Sequence, residues 1–129
     1  MLPQEFQHLP VNADDHGEFV VWDIRDWEGD AETMDEINQA WVAVHEPEQY
    51  VGTISVFPED IIIHGDIEEI ISGGWNEAAR ATGLQHLAIV GEGLQTIAVQ
   101  SHIDAPTIET MDGFDEIDEA VSWMESQVS

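Results

Sequence analysis

The stretch Gly83-Leu84-Gln85-His86-Leu87-Ala88-Ile89-Val90-Gly91 decides the fold class. Its centre, His86–Val90 (HLAIV), is a continuous apolar run, the composition of a strand covered on both faces. Such strands sit in parallel sheets whose crossovers lay helices on the faces. A helix leads into it: Ile67, Ile70, Ile71, Trp75, Ala78 and Ala79 recur at helical spacing up to Gly83, a residue suited to end a helix. Gly73-Gly74 falls inside that helix. Each glycine there costs roughly 1 kcal/mol relative to alanine, so the pair predicts close packing against a neighbour, or a kink. Downstream, Gly91-Glu92-Gly93 opens a helix predicted from Leu94 to Ile103.

The flanking sequence repeats the alternation. Glu18–Ile24 (EFVVWDI) and Tyr50–Phe57 (YVGTISVF) read as strands, rich in β-branched and aromatic residues. Between them Met34, Ile37, Trp41 and Val44, spaced 3, 4 and 3, mark one face of a helix over 31–46. Asp30 is its predicted N-cap and Pro47 its stop. Ile61-Ile62-Ile63 is a short apolar segment between turn signals. Pro106–Met111 is the predicted last strand. Phe114, Ile117, Val121, Met124 and Val128 then step by 3, 4, 3 and 4 along a final helix, with Asp112 or Asp115 as cap. Residues 1–17 form an N-terminal arm, with a short edge strand around Glu5–Val11 and a turn-forming run from Asn12 to Gly17. The order β, β, α, β, α, β, α, β, α predicts a single α/β domain over residues 1–129. Its sheet is mixed and largely parallel, with four to five strands and about four helices.

Charge excludes several function classes. The chain carries 28 Asp and Glu against two basic residues, Arg25 and Arg80, a net charge of −26. Nucleic-acid binding by phosphate neutralisation needs clustered Lys and Arg, and docking on an anionic membrane needs the same. There is no 18-residue apolar run for a transmembrane helix, and the N-terminus lacks the basic and apolar regions of a secretory signal. No cysteine is present, which removes disulfides and thiolate chemistry. The acids are evenly spread, 15 in residues 1–64 and 13 in residues 65–129, so they coat a folded domain rather than form a tail. An even anionic coat repels itself in dilute buffer and is screened in brine. The expected setting is the cytoplasm of a high-salt organism, preferred over a solubility coat or a nucleic-acid decoy.

Candidate chemistry is sparse, and no catalytic or metal-binding residue and no cofactor are assigned. Histidines 8, 16, 45, 64, 86 and 102 include no pair three or four apart, so no helix presents two to one metal; surface or strand positions are their ordinary reading. None of the serines lies in G-x-S-x-G, and no loop has EF-hand spacing. The best-placed ligand crevice is Gly91, Glu92 and Gly93. Ligands of open α/β sheets collect at strand carboxyl ends, and helix N-termini attract anions. The turn lacks a third glycine and a phosphate-binding lysine, and Glu92 repels phosphate, so it reads as a tight turn first. Of the five tryptophans, Trp41, Trp75 and Trp123 fall on or beside apolar helix faces, whereas Trp27 sits in an acidic turn and is expected to be exposed.

The informative feature is an absence. Residues 81–91 and 93–103 carry no charge, although charges come every few residues elsewhere. A helix left uncoated in an anionic protein is expected to be covered, by its own chain or by a second subunit. Interface cores are depleted in charge, which marks Leu94, Gln95, Ile97, Ala98 and Ser101 as the candidate interface of a homodimer.

The run Gly83–Gly91 together with Glu109-Thr110-Met111-Asp112-Gly113-Phe114 and Glu119-Ala120-Val121-Ser122-Trp123-Met124 resembles the SpoIIAA-like family, a branch of the STAS and CRAL-TRIO fold group. The first matches that family's basic–aliphatic–AVVG strand after a helix, and the others its final strand, aromatic and EA-x-x-W-Leu helix. Asp26-Trp27-Glu28-Gly29 before a helix is compatible, and the resemblance spans roughly residues 18–126. It implies a four- or five-stranded mixed sheet, no metal and no established chemistry. Related STAS domains act as anti-sigma-factor antagonists switched by phosphorylation of a serine in a D-S step. The corresponding Ile62-Ile63-His64-Gly65-Asp66-Ile67 has no serine or threonine, so that switch is not expected. CRAL-TRIO relatives hold lipids in an apolar cavity, for which this chain is short. The expected function is a non-enzymatic STAS-like interaction or regulatory module with a protein partner. The alternative is a small-ligand or lipid-binding domain using the crevice at Gly91–Gly93.

Overall fold

The computed structural model describes residues 2–48, 50–58, 65–104 and 107–128, without the side chains of 46–48 and 93–95. Five strands form one sheet in sequential order: β1 (Asn12–Asp15), β2 (Phe19–Asp23), β3 (Gly52–Val56), β4 (His86–Val90) and β5 (Thr110–Phe114). β1 and β2 are antiparallel, and every later pair is parallel. The helices are α1 (Ala31–Glu48), α2 (Gly65–Glu69), α3 (Asn76–Thr82), α4 (Gly93–His102) and α5 (Ile117–Val128). A π-helical stretch, Ile70–Trp75, joins α2 to α3 in one rod, so four helical rods flank the mixed sheet.

Sequential order of parallel strands has a geometric consequence. Crossovers between parallel strands are right-handed, so α1, the α2–α3 rod and α4 fall on the same face. Only α5, which follows the last strand, covers the other. The two hydrophobic clusters reflect this. Val20, Trp22, Leu87 and Ile89 pack with Met34, Ile37, Ile71, Ala79 and Val99 on the three-rod side. Phe19, Val21, Ile54, Val56, Ala88 and Val90 pack with Ala120 and Met124 of α5. All five residues of β3 and of β4 are buried, as central strands covered on both faces require.

Local signals in the sequence act as their chemistry predicts. Asp30 caps α1, its Oδ2 accepting the Thr33 amide at 2.9 Å. Gly83 ends α3 at φ 72°, its amide donating to the Ala79 carbonyl at 2.9 Å. Three boundaries depart from expectation. The edge strand is Asn12–Asp15, inside the stretch read as a turn, while a single 3₁₀ turn (Gln4–Phe6) lies where the strand was placed. The hairpin is closed by Gly17 at φ 92°, whose amide bonds Asp15 Oδ1 at 2.7 Å, and only Ala13 of β1 is buried. The last strand is Thr110–Phe114 rather than Pro106–Met111, so Phe114 ends a strand instead of starting the helix. Helix α1 also runs one residue past Pro47; a proline forfeits its own ladder bond, a small loss in a final turn. The segment Ile61-Ile62-Ile63 and Pro106 lie outside the described residues.

Candidate functional site

Helix α1 turns one stripe toward the sheet: Met34, Ile37, Trp41 and Val44. His45 follows Trp41 by four residues and shares that stripe. It is fully buried, contrary to the surface or strand position expected of the histidines. Its ring stacks on Trp41 at 4.2 Å and meets Tyr50 edge-on at 5.4 Å. The Trp22 indole donates to His45 Nε2 at 3.0 Å, and the Trp41 indole donates to Thr53 Oγ1 at 3.0 Å. Thr53 Oγ1 lies 3.1 Å from the same Nε2.

These bonds fix the tautomer. An indole N–H only donates, so Nε2 is an acceptor and the neutral ring carries its proton on Nδ1. The Thr53 hydroxyl accepts from Trp41 and has its own proton free for Nε2. Protonating Nε2 would set its N–H against the indole N–H of Trp22. Burial pushes the His45 pKa down from 6.5 to about 3, so the ring is neutral at physiological pH. Its Nδ1 is buried and has no hydrogen-bond partner among the described residues.

Beside this network lies a cavity of about 40 Å³. Trp22, Thr53, Ser55 and Leu87 form its floor on β2, β3 and β4. Ile37, Asn38 and Trp41 of α1 form one wall; Trp75, Ala78 and Ala79 form the opposite one. Ile103 and Ile108 close an end. The lining is aromatic and aliphatic, with Asn38, Thr53 and Ser55 as its polar members, and among the described residues it contains no charged one. In a chain with one charge in about every four residues, a wholly neutral concavity is the site most distinct from its surroundings. A second hollow of about 330 Å³ opens at the amino ends of the strands, lined by Gly17, Glu18, Val51, Gln85, His86, Gln127 and Val128. It is more open and more polar, and His86 there has Nδ1 engaged with Thr110 Oγ1 at 2.7 Å.

The residues singled out in the sequence lie elsewhere. Gly91, Glu92 and Gly93 form the β4–α4 turn, where the Gly91 amide bonds the Phe114 carbonyl at 3.0 Å and the Glu92 carbonyl accepts the Thr96 amide at 3.1 Å. Neither Gly91 nor Glu92 lines either cavity. Within α4, Thr96 and Val99 are buried by the chain's own sheet, Ala98 is half-buried and Ser101 is exposed. Ile97 is 63% exposed and is the large hydrophobic most open to solvent among the described residues. Leu94 and Gln95 have no described side chains. The chain therefore covers one face of the charge-free helix and leaves Ile97 on the other. Trp27 corrects an expectation: it is 2% exposed, packs edge-on to Phe57 and donates its indole proton to the Asp30 carbonyl at 3.0 Å.

Among the described residues no three His, Asp or Glu side chains converge on a point that could hold a metal, and no helix is long and apolar enough to cross a membrane. No family model, curated protein or solved structure matches the chain, so geometry carries the functional argument.

Proposed function

We propose that this protein is a non-catalytic binding module that holds a small, uncharged, largely apolar ligand between α1, α3 and the sheet. The neutral lining carries this reading. An anionic ligand would meet the field of 26 net negative charges and no cation among the described lining residues, and a cation would find no carboxylate among them. Ser55 and Asn38 supply the few polar groups that orient a ligand in an otherwise apolar site. The site lies on the three-rod side, apart from the turn at Gly91–Gly93. In 3 M KCl, 4-fluorophenol and fluorobenzene should show saturable ¹⁹F NMR binding at millimolar concentration, and 4-fluorobenzoate should not. Ser55→Val should weaken 4-fluorophenol about fivefold, the worth of one hydrogen bond of ~1 kcal/mol, and leave fluorobenzene unchanged. Absence of saturation by both neutral probes overturns the reading.

The resemblance to SpoIIAA-like proteins supports a second reading, a STAS-like interaction module in the cytoplasm of a high-salt cell. The observation favouring it is Ile97, exposed on a helix without charge. A homodimer through that face has twice the 14.4 kDa chain mass by light scattering in 3 M KCl, and Ile97→Glu returns it to monomer. A monomeric mass for the unaltered protein removes the homodimer.

A further inference from the structure

The cavity is smaller than a ring-shaped ligand requires. Its volume of about 40 Å³ accommodates a few waters, whereas a cavity that binds benzene measures about 150 Å³. One wall must yield, and the walls differ in what holds them. Trp22, Thr53, Ser55 and Leu87 belong to β2, β3 and β4, each laddered to a strand on both sides. Trp41 is tied through its indole to Thr53, and its ring is pinned against His45. Ala78 and Ala79 are buried in regular helix.

Trp75 is held differently. It ends the π-helical stretch Ile70–Trp75, directly after Gly73 and Gly74. It is half-buried, and its indole nitrogen has no hydrogen-bond partner among the described residues, unlike those of Trp22 and Trp41. Its recorded ring neighbour is Phe57, with centroids 5.8 Å apart. The chain is clamped on both sides of it. Ile71 is fully buried upstream. Immediately downstream, Asn76 donates to the His102 carbonyl at 2.9 Å and accepts the Asp104 amide at 2.6 Å. Between these clamps lie Ser72, whose carbonyl accepts from Asn76 Nδ2 at 2.6 Å and whose hydroxyl donates to the Glu68 carbonyl at 2.8 Å, then the two glycines and the tryptophan. A Cβ on Gly73 would meet nothing within 4 Å, so that side of the segment is open, whereas one on Gly74 would stand 3.1 Å from Asn38 Nδ2 of α1. Single-turn π segments recur at functional sites, and glycine adds backbone freedom.

We infer that Trp75 is the door of the cavity, swinging at Gly73 to admit an uncharged single-ring molecule. The inference rests on the ligand reading above, but the motion it requires exists without ligand. The experiment uses the full chain labelled with 5-fluorotryptophan in 3 M KCl, with benzene as the probe. In the free protein, ¹⁹F relaxation dispersion should show millisecond exchange at Trp75 and none at Trp22 or Trp41. Gly73→Ala, which fits the open space and stiffens the helix, should slow that exchange about fivefold. It should slow benzene association and dissociation by the same factor while leaving Kd within twofold. Trp75→Ala should instead accelerate benzene exchange at least tenfold. A Trp75 as quiet as Trp22 in a protein that binds benzene overturns the door alone. Benzene failing to bind while Trp75 exchanges overturns the ligand reading alone.

Discussion

His45 shows how much one buried group can govern. Its folded pKa of about 3 lies below the 6.5 of an unconstrained histidine, so the unfolded chain takes up a proton that the folded chain refuses. Stability from this residue is fully present above pH 6.5 and is lost as pH falls toward 3. Between pH 7 and pH 5 the loss is about 2 kcal/mol, at 1.36 kcal/mol per unit. Urea titrations at pH 7 and pH 5 in 3 M KCl should show the fall, and His45→Gln should flatten most of it; an unaltered slope in that variant would refute the assignment. The sequence held the signal for this residue in plain view, because position 45 continues the stripe of Trp41 by one helical turn. A lone histidine on an apolar stripe carries no pairing signal, so spacing between histidines does not reveal it. The burial of Trp27 is equally illegible locally: its acidic neighbours say nothing about whether the loop folds its indole against Phe57.

Elements were more legible than their ends. Continuous apolar runs and strides of three and four residues placed β2, β3, β4, α1, α4 and the α2–α3 rod, because periodicity integrates over many residues. β1 was missed because Asn12-Ala13-Asp14-Asp15 has a turn's composition and is a strand only through its ladder to Phe19–Asp23. β5 was displaced because Phe114 continues the stride of the final helix although it lies in the sheet. What the sequence could not give was how closely the elements approach, and two glycines record that. A Cβ on Gly113 would stand 2.8 Å from Thr96 Cβ and 2.7 Å from Gln100 Nε2. A Cβ on Gly52 would meet Met124 Sδ at 2.5 Å and Phe19 Cβ at 3.1 Å. Thr96 Cβ is fixed to the α4 backbone, so relief at Gly113 requires the helix to move; the Met124 thioether can turn aside. Gly113→Ala should therefore cost about 2–3 kcal/mol and Gly52→Ala about 1 kcal/mol by chemical denaturation, within the range for overpacking. Equal costs would mean that α4 does not press on β5 as described.

Topology and charge act on the whole chain. The sequential strand order leaves one helix to cover a face of the sheet that three rods cover on the other, and the domain closes on a core without a buried ionic pair among the described residues. The acids gain little from pairing. Arg25 binds Asp23 at 2.7 Å, while His8 and His102 reach Glu36 and Glu68 at 2.9 and 3.9 Å, all at partly exposed positions. Most of the other described carboxylates lie at exposed positions, where like charges repel one another across water. Two like charges 10 Å apart repel by about 0.4 kcal/mol in water, and a surface with 26 net charges holds tens of such pairs. The sum reaches several kcal/mol, comparable with the 5–15 kcal/mol by which an ordinary domain is stable. At 1 M salt the Debye length falls to about 3 Å, shorter than the spacing between neighbouring charges. Thermal unfolding followed by circular dichroism should thus shift upward by at least about 10 °C from 0.1 M to 3 M KCl, since ~2 kcal/mol moves the midpoint of a domain this size by that order. Sodium sulfate strengthens burial by exclusion as well as by screening, so KCl isolates the electrostatic part more cleanly. Equal midpoints in the two KCl concentrations would show that the coat is not adapted to brine, and the proposed high-salt setting would fall with it.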